Sequence, residues 1–128
     1  MRRAAAIAAL AAVSSCGGGG TPSAPSDGGT SVTTVTITST GASPNTLSVS
    51  QGERVLFVNN DARPHNMTSD PHPEHDQPGC GGVNAVGVLS PGQRRETGNL
   101  TTVGTCGFHD HDDPPPGGSR FTGRITIR

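Results

Sequence analysis

The run Gly52-Glu53-Arg54-Val55-Leu56-Phe57-Val58-Asn59-Asn60 decides the fold class. Four consecutive apolar side chains stand between the turn-forming Gln51-Gly52 and two asparagines. A short continuous apolar run closed by turn residues suits a strand buried on both faces. Upstream, Val32-Thr33-Thr34-Val35-Thr36-Ile37-Thr38 is β-branched throughout, with Val35 and Ile37 on one face. Gly41 to Asn45 supplies turn chemistry, after which Leu47 and Val49 continue the alternation. Downstream, Val86 to Leu89, Arg94 to Thr97, Leu100 to Thr105 and Phe121 to Ile127 are further candidate strands, with Ser90-Pro91-Gly92 as a turn. No stretch after the N-terminal segment keeps a helical period over enough residues to compete. Short strands with frequent turns predict an all-β sandwich or barrel.

Composition bounds the rest. A chain of 128 residues with 30% hydrophobic residues, 19 Gly and 11 Pro has room for one small domain plus flexible segments, and not for a multidomain enzyme. It contains no Trp, no Tyr and three phenylalanines (Phe57, Phe108 and Phe121), so Val, Ile and Leu must build the core. That leaves little aromatic surface on which nucleic-acid bases could stack. All nine basic residues are arginine, ten acidic residues oppose them, and no basic run is longer than a pair such as Arg94-Arg95. A nucleic-acid partner is therefore not expected.

The N-terminus reads as an address. Met1-Arg2-Arg3 is a positive n-region, Ala4 to Val13 is a short apolar run, and Ser14 and Ser15 precede Cys16. The apolar run is too short to span a bilayer permanently. Val13-Ser14-Ser15-Cys16 resembles a bacterial lipobox, which implies a signal peptide over 1–15 and a lipid on Cys16. Residues 16–30, from Gly17 to Gly20 through the Pro- and Ser-containing run to Gly29, form a disordered flexible tether, and the folded domain covers 31–128. The expected location is the bacterial cell envelope, facing the periplasm or exterior and held to the membrane by the lipid alone. Without residues 1–15 the chain carries seven basic against ten acidic residues, a mildly anionic balance.

The chemistry lies in Thr105-Cys106-Gly107-Phe108-His109-Asp110-His111, taken together with His65 in Arg63-Pro64-His65-Asn66. A thiolate and two imidazoles converging on one point form a copper constellation. Cysteine arithmetic supplies a rival. Once Cys16 carries lipid, Cys80 and Cys106 remain, and two exported thiols commonly become a disulfide. One sulfur cannot be both a thiolate ligand and half of an oxidised bridge.

With these residues in view, the span from Ser31 to Arg128 is similar to the cupredoxin family, which includes plastocyanin. The resemblance implies a Greek-key β-sandwich and a type 1 copper held by His65, Cys106 and His109, used for single-electron transfer with redox partner proteins. It departs from the family in two ways. The methionine expected soon after the second histidine is replaced by Asp110-His111-Asp112-Asp113-Pro114-Pro115-Pro116, and Met67 has no evident route to an axial position. The five histidines are also concentrated, with His72 and His75 in the proline-stiffened Ser69-Asp70-Pro71-His72-Pro73-Glu74-His75-Asp76. Imidazoles and carboxylates so placed suit copper(II) or zinc.

Three readings stand on these residues. The first is a tethered, monomeric electron carrier with copper at His65, Cys106 and His109 and with His111, a backbone oxygen or no strong donor on the axis. The second is a non-blue copper-binding or copper-delivery protein, with a Cys80–Cys106 disulfide and a histidine cluster drawn from His65, His72, His75, His109 and His111. Its partners would be copper-handling proteins, and zinc is a possible occupant. The third is a metal-free β-sandwich. Cys106, His109 and Asp110 contain the elements of a catalytic triad, but sequence neighbours rarely face one another as a triad needs, so no catalytic residues are assigned and no enzyme activity is expected.

Overall fold

The computed structural model describes residues 32–128, so the expected signal peptide, Cys16 and the whole of the tether lie outside the described residues. Nine strands form the framework: β1 (Thr33–Thr38), β2 (Gly41–Ser43), β3 (Thr46–Val49), β4 (Val55–Asn59), β5 (His65–Ser69), β6 (Gly87–Leu89), β7 (Arg94–Glu96), β8 (Gly104–Asp110) and β9 (Gly123–Ile127). Short 3-10 turns at Gly81–Ala85 and Ser119–Phe121 interrupt the longer connections. One sheet has the order β2-β1-β4-β7 and the other β3-β9-β8-β5-β6. The expected all-β architecture is therefore observed, as a two-sheet β-sandwich.

Alternation explains how the sheets close on each other. Val35 and Ile37 of β1 and Val55 and Phe57 of β4 point inward from the first sheet, all fully buried. Leu47, Val49, Met67, Leu89, Phe108, Ile125 and Ile127 meet them from the second. Phe57 and Phe108 join the layers edge to face, with ring centroids 5.2 Å apart. The parallel pairing of β1 with β4 and of β3 with β9 means that these neighbours are joined by crossovers between the sheets and not by hairpins.

Two differences from the sequence reading matter for the site. The candidate strand Leu100 to Thr105 is shifted toward the C-terminus, because β8 starts at Gly104 and runs on through Cys106 and His109 to Asp110. Residues 65–69 form β5, although His-Asn-Met-Thr-Ser has a single apolar side chain. Its inward positions are His65, Met67 and Ser69, and hydrogen bonding makes the two polar ones acceptable in the core. Asn59 ends β4 by donating to the carbonyls of Arg63 (2.9 Å) and Leu89 (2.8 Å) and accepting from the amide of Asp61 (2.8 Å). This fixes the turn that starts β5.

Candidate metal centre

Four of the five histidines converge. One nitrogen from each of His72, His75, His109 and His111 lies within 4.8 Å of the other three. His109 comes from β8, on the outer face of the five-stranded sheet opposite Thr68 of β5. His111 follows immediately, and its amide donates to the carbonyl of Asn66 at 2.7 Å. His72 and His75 come from the loop after β5, which folds over that outer face and leaves His109 fully buried while His72 stays exposed. The His75 and His109 rings stack with centroids 5.0 Å apart, and the His72 ring lies 4.9 Å from that of His111.

Hydrogen bonds fix how the rings are presented. His109 donates from Nδ1 to Asp70 Oδ1 at 2.7 Å, so Nε2, whose one protein partner among the described residues is the Thr68 hydroxyl at 3.5 Å, is the nitrogen presented to a cation. His75 donates from Nδ1 to the carbonyl of Ser69 at 2.9 Å and turns Nε2 toward Nδ1 of His111, 2.7 Å away. A cation that binds both nitrogens takes the place of this hydrogen bond. His75 adopts φ 56°, in the left-handed region where a side chain other than glycine is uncommon, and this directs its ring into the cluster. The loop itself is closed at its base, where the amide of Gln77 donates to the carbonyl of Asp70 at 3.0 Å. His72 is held below the ordinary imidazole range, first by partial loss of hydration and then by repulsion from His111, His109 and His75.

The donor set fits a divalent cation. Metal–imidazole bonds of about 2.0–2.1 Å put nitrogens on opposite sides of one ion about 4 Å apart. Cluster nitrogens separated by at most 4.8 Å need a contraction of under about an ångström to reach that spacing. Two of the four residues, His72 and His75, sit on the loop after β5, and the other two on or next to β8.

The grouping implied by the type 1 resemblance is not formed. Cys106 is bonded to Cys80 with an S–S distance of 2.06 Å and a Cα–Cα distance of 5.4 Å, so its sulfur is oxidised and is not a thiolate ligand. His65 is fully buried on the inward face, whereas His109 is on the outer one. Both nitrogens of His65 are engaged, Nδ1 with Asp110 Oδ2 at 2.7 Å and Nε2 with Asp61 Oδ2 at 2.9 Å. Its ring packs 4.7 Å from that of Phe121, which Arg63 and Arg120 cover at 5.0 and 4.7 Å. Met67 is fully buried on the inward face of β5, the face opposite the one that carries His109. His65 therefore serves as a buried link between two carboxylates. Asp110 Oδ1 extends that link by accepting from the amides of Asn66 (3.0 Å) and Asp112 (3.2 Å).

Asp61, Asp70 and Asp110 are the functional and supporting residues that the motif reading did not assign. Their signal in the sequence is proximity to histidine. Asp61 is held below the usual carboxylate range, chiefly by its hydrogen bond with His65.

Neither protein-family models nor curated protein sequences match this chain. The likeness to known proteins is in the fold, and it is to cupredoxins. A purple cupredoxin from Nitrosopumilus maritimus is similar over 75% of this chain and 99% of that one, at 20% identity and a TM-score of 0.54. A reduced amicyanin variant is similar over 77% of this chain and 83% of its own, at 19% identity and a TM-score of 0.58. A copper(I) form of another amicyanin variant is similar over 76% of this chain and 82% of its own, at 20% identity and a TM-score of 0.56.

Proposed function

We propose that this protein binds one copper(II) ion through His72, His75, His109 and His111, and that it serves in copper binding or delivery and not as a blue electron carrier. The observation that carries this reading is the pairing of a four-histidine cluster with a Cys80–Cys106 bridge. All-imidazole coordination suits copper(II) and zinc(II), whereas a blue site needs a thiolate that the bridge removes. When bound, the ion supplies a centre that a competing ligand can approach from solvent, since His72 is exposed. The chain's own residues hold it: Asp70 and the Ser69 carbonyl orient His109 and His75, and the loop closed at Asp70 and Gln77 keeps His72 and His75 over β8. On the same reading the export signal and Cys16 hold the domain at the bacterial cell envelope, with copper-handling proteins as its partners. No role in catalysis is proposed.

The test is a titration of the purified chain with copper(II), followed by visible and electron paramagnetic resonance spectroscopy and by thiol counting under denaturing conditions. The expected result is one ion per chain, weak visible absorption, hyperfine structure from several nitrogens and no free thiol from Cys80 or Cys106. An intense thiolate-to-copper band that disappears in Cys106→Ser would overturn the proposal in favour of a blue centre.

A further inference from the structure

We infer that Asp70 is the positioning residue of the histidine site, and that its carboxylate biases the site toward a divalent cation over copper(I). This deepens the proposed function and rests on it. Asp70 follows the last residue of β5 and begins the loop that carries His72 and His75. Its side chain is half exposed, yet one oxygen is 2.7 Å from Nδ1 of a histidine ring that is itself buried. Its backbone is held at both ends: the amide donates to the carbonyl of Gly107 at 3.2 Å, and the carbonyl accepts from Gln77. One residue thus joins the strand that supplies His109 to the loop that supplies His72 and His75.

The seat for this carboxylate is built into β8. A Cβ on Gly107 would overlap Oδ2 and Cγ of Asp70, so glycine at that position is what lets the carboxylate lie across the strand beside His109. Gln77 closes the same place, accepting from the amide of Gly107 at 2.9 Å and donating to the carbonyl of Thr105 at 2.8 Å. The other acidic groups near the rings are engaged elsewhere or do not bond to them. Asp110 faces His65, Asp113 pairs with Arg63 at 3.0 Å, and the side chains of Glu74, Asp76 and Asp112 form no hydrogen bond with a histidine ring among the described residues.

Four neutral imidazoles leave the charge of a bound ion uncompensated. A carboxylate on the far nitrogen of one ligand fixes the tautomer that offers Nε2 and raises the basicity of that nitrogen. Its attraction to the ion scales with the ion's charge, so it favours copper(II) and zinc(II) over copper(I).

The experiment measures affinities of the full chain for copper(II), zinc(II) and copper(I) by competition with chromophoric chelators, in the unaltered protein, Asp70→Asn and Asp70→Glu. Circular dichroism establishes that each variant is folded. Asp70→Asn keeps the shape of the side chain and removes its charge. It is expected to lose about 10- to 100-fold in affinity for the divalent ions. The loss for copper(I) should be about tenfold smaller, which raises the copper(II)/copper(I) potential by about 59 mV. Asp70→Glu should recover part of the divalent affinity. A folded Asp70→Asn variant that binds divalent ions within twofold of the unaltered chain, or that loses equally for both copper oxidation states, would overturn the inference while leaving the histidine site standing. Absence of divalent binding by the unaltered chain would remove the site and the role of Asp70 with it.

Discussion

Replacing both Cys80 and Cys106 with alanine separates a scaffold role for sulfur from a ligand role. The bridge closes a loop of 26 residues. The chain-entropy relation gives a loss of about 12 cal/mol/K for a loop of that length, or about 3.5 kcal/mol at 25 °C. Small domains are stable by only about 5–15 kcal/mol, so this is a large share. In a domain of about a hundred residues it lowers Tm by about 14–28 °C. Alanine is chosen because it leaves no hydroxyl in a site where both sulfurs are buried. Guanidinium denaturation of the metal-free protein measures the loss, and a copper(II) titration at a temperature where the variant is folded measures binding. Since Cys106 points inward and His109 outward, copper affinity should stay within a few-fold of the unaltered chain. A folded variant that no longer binds copper, or one whose stability is unchanged, would refute the reasoning.

Two further outcomes are expected. His65→Leu removes the partner of the buried Asp110 carboxylate and should destabilise the domain by about 3–5 kcal/mol by denaturant midpoint; copper binding by the folded fraction should persist, whereas its loss would return His65 to the ligand set. Asp61, with a folded pKa lowered from 3.8, contributes stability that is present above the unfolded value and lost as pH falls through the lower folded one. Asp61→Asn should therefore flatten the acid limb of stability against pH below about 4 and change little at neutral pH, and an unaltered acid limb would count against the Asp61–His65 bond.

The sandwich was legible because its signals are local. Val35 and Ile37, Leu47 and Val49, and the run from Val55 to Val58 report their burial through period and β-branching alone. The strand β5 was hidden because its inward positions hold His65 and Ser69, whose partners Asp110 and Asp61, and His75, lie elsewhere in the chain. The run Leu100 to Thr105 misplaced the start of β8, since Leu100 is buried outside any strand while the strand itself takes in Gly104 to Asp110. Crowding of histidine marked the metal candidates, and His72 and His75 were visible in it. Their tautomers and the seat for Asp70 beside Gly107 were not, because these depend on contacts between β5, its loop and β8.

By itself the sequence determined a small β-sandwich, five candidate imidazoles and two sulfurs with competing uses. The tertiary structure decided among them through the two-residue period of a strand. Cys106 and His109 are three positions apart, an odd offset, so once residues 104–110 are extended their side chains must leave on opposite faces. Cys106 turns into the core and meets Cys80, while His109 turns outward under the loop that brings His72 and His75. An odd or even offset has this consequence only after the chain is known to be a strand there, and that is settled by its pairing with β5 and β9, which are distant in sequence.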